Sequence, residues 1–167
     1  MNEAHLHMII NHFPIIIPFL ALIIIACGFV VKSPLLLRVA YLLLIISGIF
    51  TFAAMWTGEG AEHIAEHLEG IDKDFIEVHE EHAELFALLS YALAFLALLA
   101  LWSNWKKKSY AKYLSIAVVS VTLVTLYFAK TTGTSGGEIR HPEIRSEFSG
   151  NTFNDDHEKD DDNDDDH

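Results

Sequence analysis

The stretch FPIIIPFLALIIIACGFVV, residues 13–31, contains 19 residues and no charged side chain. Three similar runs follow at residues 39–56, 85–102 and 113–129. A helix needs roughly 20 apolar residues to cross a bilayer, with a lower limit near 17. Four such runs in 167 residues leave too few polar faces for a soluble bundle. The sequence therefore predicts an all-α integral membrane four-helix bundle in contact with the lipid bilayer, with spans at about 12–31, 36–57, 83–103 and 111–130.

Basic residues in the short connections predict the orientation of the four spans. Lys32 and Arg38 lie in the first connection, and the third holds Lys106, Lys107, Lys108 and Lys112. Because short cytoplasmic loops are enriched in lysine and arginine, we expect both connections in the cytoplasm. The N-terminus, the segment between spans two and three, and the C-terminus are then outside. The N-terminus lacks the basic region of a secretory signal, so we expect the first run to remain as a span.

Two segments differ from the spans in composition. Residues 59–82 read as an amphipathic outer helical segment: Gly58 and Gly60 are expected to mark its start, and Gly70 to break it before a helix that runs on into span three. Residues 149–167 are dominated by Asp, Asn, Glu and His, which predicts a disordered acidic tail after a membrane domain of residues 1–148. The net charge of −12 also argues against nucleic acid as a partner.

The predicted topology gathers all ten histidines on the outer side of the membrane, with none in the middle of a span. His79 and His82 fall on the helix face that carries Phe86, whereas the neighbouring glutamates fall on the opposite face. A buried imidazole needs a hydrogen-bond partner, a charge partner or a metal. These two histidines are therefore predicted either to bind a ligand or to bond a backbone carbonyl or a glutamate of a neighbouring helix.

His63 and His67 are four residues apart and share a helix face, with Glu62 and Glu66 beside them. Imidazole and carboxylate groups suit zinc and related divalent ions. The same residues match the H-x-x-E-H spacing of one class of zinc peptidase. No large soluble domain is present to hold a peptide, so the pattern favours a peripheral metal site over a peptidase.

The two halves of the chain suggest a two-plus-two repeat. Thr57-Gly58 after span two is matched by Thr132-Gly133 after span four, and each is followed by another glycine, an acid and a histidine. Each is preceded by a hairpin of two spans that turns at a basic loop. Such parallel repeats are common in membrane proteins, although glycines that end helices produce part of the likeness.

These motifs together resemble a family of uncharacterised four-span bacterial inner-membrane proteins. The resemblance covers roughly residues 5–142 and rests on His7-x4-His12-Phe13-Pro14, Thr57-Gly58 and Gly136-Gly137-Glu138-Ile139-x-His141. The chain departs from the family pattern in having Met8 after His7 and Pro142 after His141. The resemblance implies the fold and a bacterial inner-membrane location, with a hint of respiratory and cytochrome-type associations, but no settled activity.

Three functions are compatible with this arrangement. The first is electron transfer through haem b, with His12 and either His79 or His82 as axial ligands, His7 and His141 in reserve, and quinol or a periplasmic electron carrier as partner. The second is binding or sensing of zinc or another divalent metal. The third is a structural or assembly subunit, in a homo- or hetero-oligomer, with no cofactor. The sequence shows no nucleophile elbow, phosphate loop or dinucleotide fingerprint, so no enzymatic activity of its own is indicated.

Overall fold

The computed structural model describes residues 2–68, 71 and 73–145, and these residues form helices and no strand. The predicted acidic tail lies outside the described residues. The elements in chain order are α1 Glu3–Ile10, α2 Phe13–Val30, α3 Pro34–Ala65, α4 Lys73–Trp105, α5 Ala111–Arg140 and a 3-10 turn at Pro142–Ile144. Four helical stretches are long and apolar enough to cross a membrane, and the α1–α2 pair counts as one of them.

Prolines decide where α1 ends and how α2 meets α3. Pro14 has no N–H to donate to the carbonyl four residues earlier, and the chain turns at Asn11 and His12 before α2 begins. Pro18 likewise leaves the Pro14 carbonyl without its helical donor. Ser47 of α3 supplies a replacement, because its hydroxyl donates to that carbonyl over 3.4 Å. The proline inside α2 therefore adds a link to the neighbouring helix.

The four long helices form a ring in which α2 contacts α3 and α5, and α4 contacts α3 and α5. The pairs α2/α4 and α3/α5 are diagonal, and α1 packs on the C-terminal part of α3. Two short turns, at residues 31–33 and 106–110, lie at one end, which we call the basic end. At the other end, the histidine end, α1 and the start of α4 meet the last turns of α3 and α5. All histidines of the described residues lie there.

Small and hydroxyl-bearing side chains fill the bundle interior, and large apolar side chains cover its outside. Gly48 of α3 faces Ala94 of α4 so closely that a Cβ on Gly48 would come within 2.6 Å of the Ala94 methyl. In contrast, Phe95 on the outer face of α4 is 63 % exposed. Small residues at helix contacts and apolar residues outside are typical of helices surrounded by lipid. The packing is that expected of a membrane bundle.

The structure corrects the expectation that glycines end the outer helices. α3 continues through Gly58 and Gly60 to Ala65, and α5 continues through Gly133 and Gly136 to Arg140. Residues 59–65 are therefore the last turns of α3. The predicted break at Gly70 lies outside the described residues, and the prediction of a helix that runs on into span three is confirmed by α4. The glycines give room to neighbouring side chains: a Cβ on Gly60 would overlap the Glu3 carboxylate of α1.

Candidate functional site

His7 of α1 lies against the last turns of α3 and is half-buried. Its Nδ1 atom is 3.0 Å from the Ala54 carbonyl oxygen and 3.3 Å from the Thr57 hydroxyl oxygen. A carbonyl oxygen only accepts hydrogen bonds, so Nδ1 carries the ring proton. The second nitrogen, Nε2, is then unprotonated, and it makes no hydrogen bond to another described residue. The His7 ring is thereby anchored through Nδ1, and the lone pair of Nε2 is left available.

His79 of α4 is held in the same way by the end of α5. Its Nδ1 atom is 3.1 Å from the Ser135 hydroxyl oxygen. The Ser135 hydroxyl donates its proton to the Thr132 carbonyl over 3.1 Å, so its oxygen accepts from His79 Nδ1–H. His79 therefore also presents an unprotonated Nε2 that bonds to no other described residue.

Glycines lie beside both rings. A Cβ on Gly58 would lie 3.5 Å from Cε1 of His7, which is ordinary contact. A Cβ on Gly136 would lie 2.9 Å from Cε1 of His79, closer than side chains normally approach. The absence of a side chain at Gly136 is therefore a condition for the observed position of His79.

The electrostatic surroundings keep both imidazoles neutral. Burial lowers the pKa of His7, an effect partly offset by the hydrogen bond to Ala54 and reinforced by the charge of His12. Burial likewise lowers the pKa of His79, and charge on His7 and on His82 lowers it further. His7 and His79 thus lie close enough for the charge of one to affect the other. A neutral imidazole is the form that coordinates metals.

A second polar layer lies about one helical turn deeper in the bundle. His82 Nδ1 and Asn11 Oδ1 are buried, and neither has a hydrogen-bond partner among the described residues. The backbone carbonyl of His82 accepts a bond from the Thr132 hydroxyl over 3.1 Å, which fixes this turn of α4 against α5. Buried polar atoms without partners are rare in proteins, and here they lie next to the two anchored histidines.

The other two histidines predicted to bind a cofactor lie on the surface. His12 is exposed, and its Nδ1 bonds the Met8 carbonyl over 3.0 Å. His141 is exposed after the end of α5, where its Nδ1 is 2.8 Å from a carboxylate oxygen of Glu143. The structure thus places His7 and His79 at the same end of the bundle, close enough for the charge of His7 to lower the pKa of His79, and His82 lies about one turn further along α4. His12 and His141 are exposed.

The four predicted metal ligands are only partly brought together. The rings of His63 and His67 lie side by side with centroids 4.9 Å apart, and His67 Nδ1 bonds the His63 carbonyl. The Glu66 carboxylate is paired with Lys73 over 3.2 Å. Glu62 lies near Glu80, whose pKa it raises. Within the described ranges, no group of three or more His, Cys, Asp or Glu is placed to hold a metal ion.

Thr57 and Ser135 were not predicted as site residues, because Thr and Ser hydroxyls are common in membrane helices. A signal was present in the sequence: Ser135-Gly136 follows span four as Thr57-Gly58 follows span two. The sequence comparison instead aligned Thr57-Gly58 with Thr132-Gly133. The structure shows that Ser135-Gly136 and Thr57-Gly58 are the pairs that contact a histidine.

Comparisons with known proteins add no family to this description: no protein-family model, no curated protein and no solved structure matches the chain.

Proposed function

We propose that this chain is a four-span membrane protein that binds haem b between His7 and His79 and serves electron transfer. One observation carries the proposal. Two imidazoles from different helices are each anchored through Nδ1, and each keeps a free Nε2. Histidines that bind metals commonly donate their other ring N–H to a carbonyl or another acceptor, which orients the ring and raises its basicity.

The number of available ligands favours haem over a closed metal site. Haem needs only two protein ligands because the porphyrin supplies the other four. A structural zinc site needs four protein ligands, and a catalytic one needs three. The described residues supply an anchored pair and no group of three, so the histidine end suits haem better.

Haem would supply reversible one-electron chemistry, and the chain's own residues would hold it. His7 and His79 would provide the ligating nitrogens, and Gly58 and Gly136 lie beside the two rings. The unpartnered atoms of Asn11 and His82 would lie on the inner side of the site. The partner for electron exchange would be quinol or a periplasmic carrier, because the site lies at the outer end of the proposed topology.

The setting of this site is the outer boundary of a bacterial inner membrane. Its support is the four apolar helices, their apolar outer surface and the lysines of the two turns at the basic end. Both termini are then outside, and the lipid bilayer is the first partner of the chain.

We also propose that the bundle is a two-plus-two repeat. A shift of 72 positions, the separation of His7 and His79, carries every buried residue of α2 onto a buried residue of α4. The pairs are Pro14/Phe86, Pro18/Ser90, Ala21/Leu93, Ile25/Ala97 and Gly28/Ala100. A shift of 78 positions relates α3 to α5 and carries Thr57 onto Ser135. The turns agree as well, because Lys32 and Lys107 both have positive φ, of 53° and 50°, at the same place after α2 and α4.

The test is a visible spectrum of the full chain purified from haem-replete cells. We expect a Soret band from haem b ligated by two imidazoles. Pyridine should replace these ligands, so that the pyridine haemochrome spectrum identifies haem b. His7→Ala and His79→Ala should each remove or strongly weaken it, whereas His12→Ala and His141→Ala, at exposed positions, should leave it unchanged. A colourless wild-type preparation, or equal loss in all four variants, contradicts the proposal.

One observation favours a second, peripheral site for a divalent metal. His63 and His67 hold their rings 4.9 Å apart at the end of α3. Imidazole is a good ligand for zinc and related ions, and water would fill the remaining positions of a weakly bound ion. Elemental analysis should show metal that is lost in a His63→Ala/His67→Ala double variant and kept in His5→Ala. Metal-free wild-type protein after mild purification contradicts this second proposal.

A further inference from the structure

We infer that His7 and His79 are equivalent ligands related by the repeat, so that the site takes a metal centre coordinated by imidazole from both of its faces. This inference rests on the proposed function and deepens it. It also assigns Thr57 and Ser135 as positioning residues, one for each ligand. None of these assignments follows from the presence of histidines alone.

The two half-sites have the same parts in the same order. His7, Thr57 and the Ala54 carbonyl form the first half-site, with Nδ1–acceptor distances of 3.0 and 3.3 Å. In the second half-site, His79 Nδ1 is 3.1 Å from the Ser135 hydroxyl oxygen, and that hydroxyl donates to the Thr132 carbonyl. In both, the hydroxyl and the carbonyl belong to residues three positions apart on the second helix of the hairpin.

The hydroxyl has the same hydrogen-bonding role in each half-site. The Thr57 hydroxyl lies 2.9 Å from the Ala53 carbonyl oxygen and 3.2 Å from that of Ala54, so its proton goes to the backbone. The Ser135 hydroxyl donates to Thr132 over 3.1 Å. Each hydroxyl oxygen is thereby left to accept from a histidine N–H. Both rings are held in the tautomer with the proton on Nδ1.

The direction of approach follows from the relation between the halves. In a two-plus-two parallel repeat the axis runs along the bundle, and side chains that it relates approach it from opposite sides. The shift of 72 positions that carries His7 onto His79 also carries every buried residue of α2 onto a buried residue of α4. The shift of 78 positions that carries Thr57 onto Ser135 carries five of the seven buried residues of α3 onto buried residues of α5. A ligand on that axis would then have one of the two imidazoles on each of its sides.

A centre held by both His7 and His79 would keep no open coordination position. A centre with imidazole on both faces is six-coordinate and suits electron transfer. A centre held by one histidine keeps an open position for a small molecule such as oxygen. The duplicated half-sites thus favour electron transfer over oxygen chemistry.

The first experiment needs no cofactor. Nitrogen-15 NMR of histidine-labelled, cofactor-free full chain should show His7 and His79 as neutral rings protonated at Nδ1, assigned through His7→Gln and His79→Gln. Thr57→Val should change the His7 signals only, and Ser135→Ala the His79 signals only. Thr57→Ser and Ser135→Thr, which keep the hydroxyl, should restore the wild-type signals. A proton on Nε2 of either ring, or no response to the loss of either hydroxyl, overturns the inference.

The second experiment uses the haem-loaded protein. We expect a six-coordinate low-spin spectrum, and conversion to a high-spin species or loss of haem in either His7→Ala or His79→Ala. Thr57→Val and Ser135→Ala should each raise the midpoint potential, by similar amounts, because a weaker bond from Nδ1–H makes the imidazole a poorer donor to ferric iron. A high-spin wild-type spectrum, or dependence on only one of the two histidines, overturns the equivalence.

The two experiments separate the inference from the proposed function. If the protein is colourless but NMR shows both His7 and His79 protonated at Nδ1, haem binding is contradicted and the equivalence of the half-sites is retained. If the protein binds haem but NMR shows different protonation of the two rings, the proposed function is retained and the equivalence of the half-sites is lost.

Discussion

The hydroxyl oxygen of Tyr41 lies 2.6 Å from that of Ser115, and this bond joins the diagonal helices α3 and α5. Tyr41 has no exposed surface. Ser115 donates its own proton to the Ala111 carbonyl over 2.9 Å, so the Tyr41 hydroxyl is the donor of the bond between them. At the opposite end of the bundle from the histidines, a hydrogen bond between side chains thus crosses the bundle interior.

Removing this bond should destabilise the bundle measurably. We expect Tyr41→Phe to lower the free energy of unfolding by about 1 kcal/mol, since bonds of this kind are worth roughly that amount in water and in membranes. Ser115→Ala should cost a similar amount, and the double variant less than the sum of the two. Detergent unfolding of the four proteins in a double-mutant cycle measures this. Tyr113→Phe is the control, because Tyr113 is exposed; additive losses in the cycle would contradict a direct bond.

The glycines beside the histidines should differ in their tolerance of a methyl group. Gly136→Ala would place a Cβ 2.9 Å from His79, so the ring must move, and we expect a loss of about 1–3 kcal/mol in stability together with displacement of His79. Gly58→Ala meets His7 only at 3.5 Å, which is ordinary contact, so we expect no loss of stability. The thermal midpoint and the His79 NMR signals report the two effects.

Gly133→Ala is the matched control for those variants. Its nearest neighbour would be Ile15 at 3.8 Å, and alanine is better than glycine within a helix by about 0.5–1 kcal/mol. We therefore expect a small rise in stability with no change at His79. If all three glycine variants behaved alike, the close contact between Gly136 and His79 would not exist in solution.

The sequence could predict the helices because their length and composition are set by local physics. Uninterrupted apolar runs dictate α2 to α5, and hydrogen bonding within each helix needs no partner from elsewhere in the chain. The same local logic failed at the glycines. Glycines such as Gly58 and Gly136 are typical of helix ends, but α3 and α5 run through them. The helices continue there because α3 is packed against α1 and α5 is packed against α4.

The candidate site was predictable only in part. Helical periodicity placed His79 on an inward face, and the structure shows it half-buried as expected. The choice of His7 over His12 depends on the break at Asn11 and His12, which turns α1 onto α3. The anchoring hydroxyls depend on contacts between residues about fifty positions apart, and periodicity within one helix carries no information on such contacts.

Carboxylates on α3 and α4 repel one another at the histidine end. Glu62 has the largest effect in raising the pKa of Glu80, with further contributions from burial, Glu84, Glu77 and Glu59. A carboxyl whose pKa is raised in the folded state destabilises the fold when it is ionised. Glu80→Gln should therefore increase stability at pH 7, and the gain should vanish as the pH falls below the ordinary glutamate value of about 4.3, where both states are protonated.

Thermal midpoints of wild type and Glu80→Gln between pH 3.5 and 8 test this expectation. The gain should also shrink in high salt, because Glu80 is largely exposed to solvent. Glu81→Gln, one position along α4, controls for the change in net charge. A gain at pH 4 as large as that at pH 7 would show that the effect of Glu80→Gln is not electrostatic.

The position of the histidine end relative to the membrane can be tested with the chain's single cysteine removed. In a Cys27→Ser background, Glu62→Cys and Lys107→Cys place one thiol at each end of the bundle. We expect a membrane-impermeant thiol reagent added to intact cells with a permeable outer membrane to label Glu62→Cys and to leave Lys107→Cys unlabelled until the inner membrane is disrupted. The lysines of the basic end favour the cytoplasmic side, and the glutamates of the histidine end have no such preference.

The reverse labelling pattern would place His7 and His79 in the cytoplasm and remove periplasmic carriers as partners. Labelling of both thiols from the same side would be incompatible with α3 and α4 crossing the membrane between these positions, and the lipid-facing interpretation of Phe95 and its neighbours would fail with it.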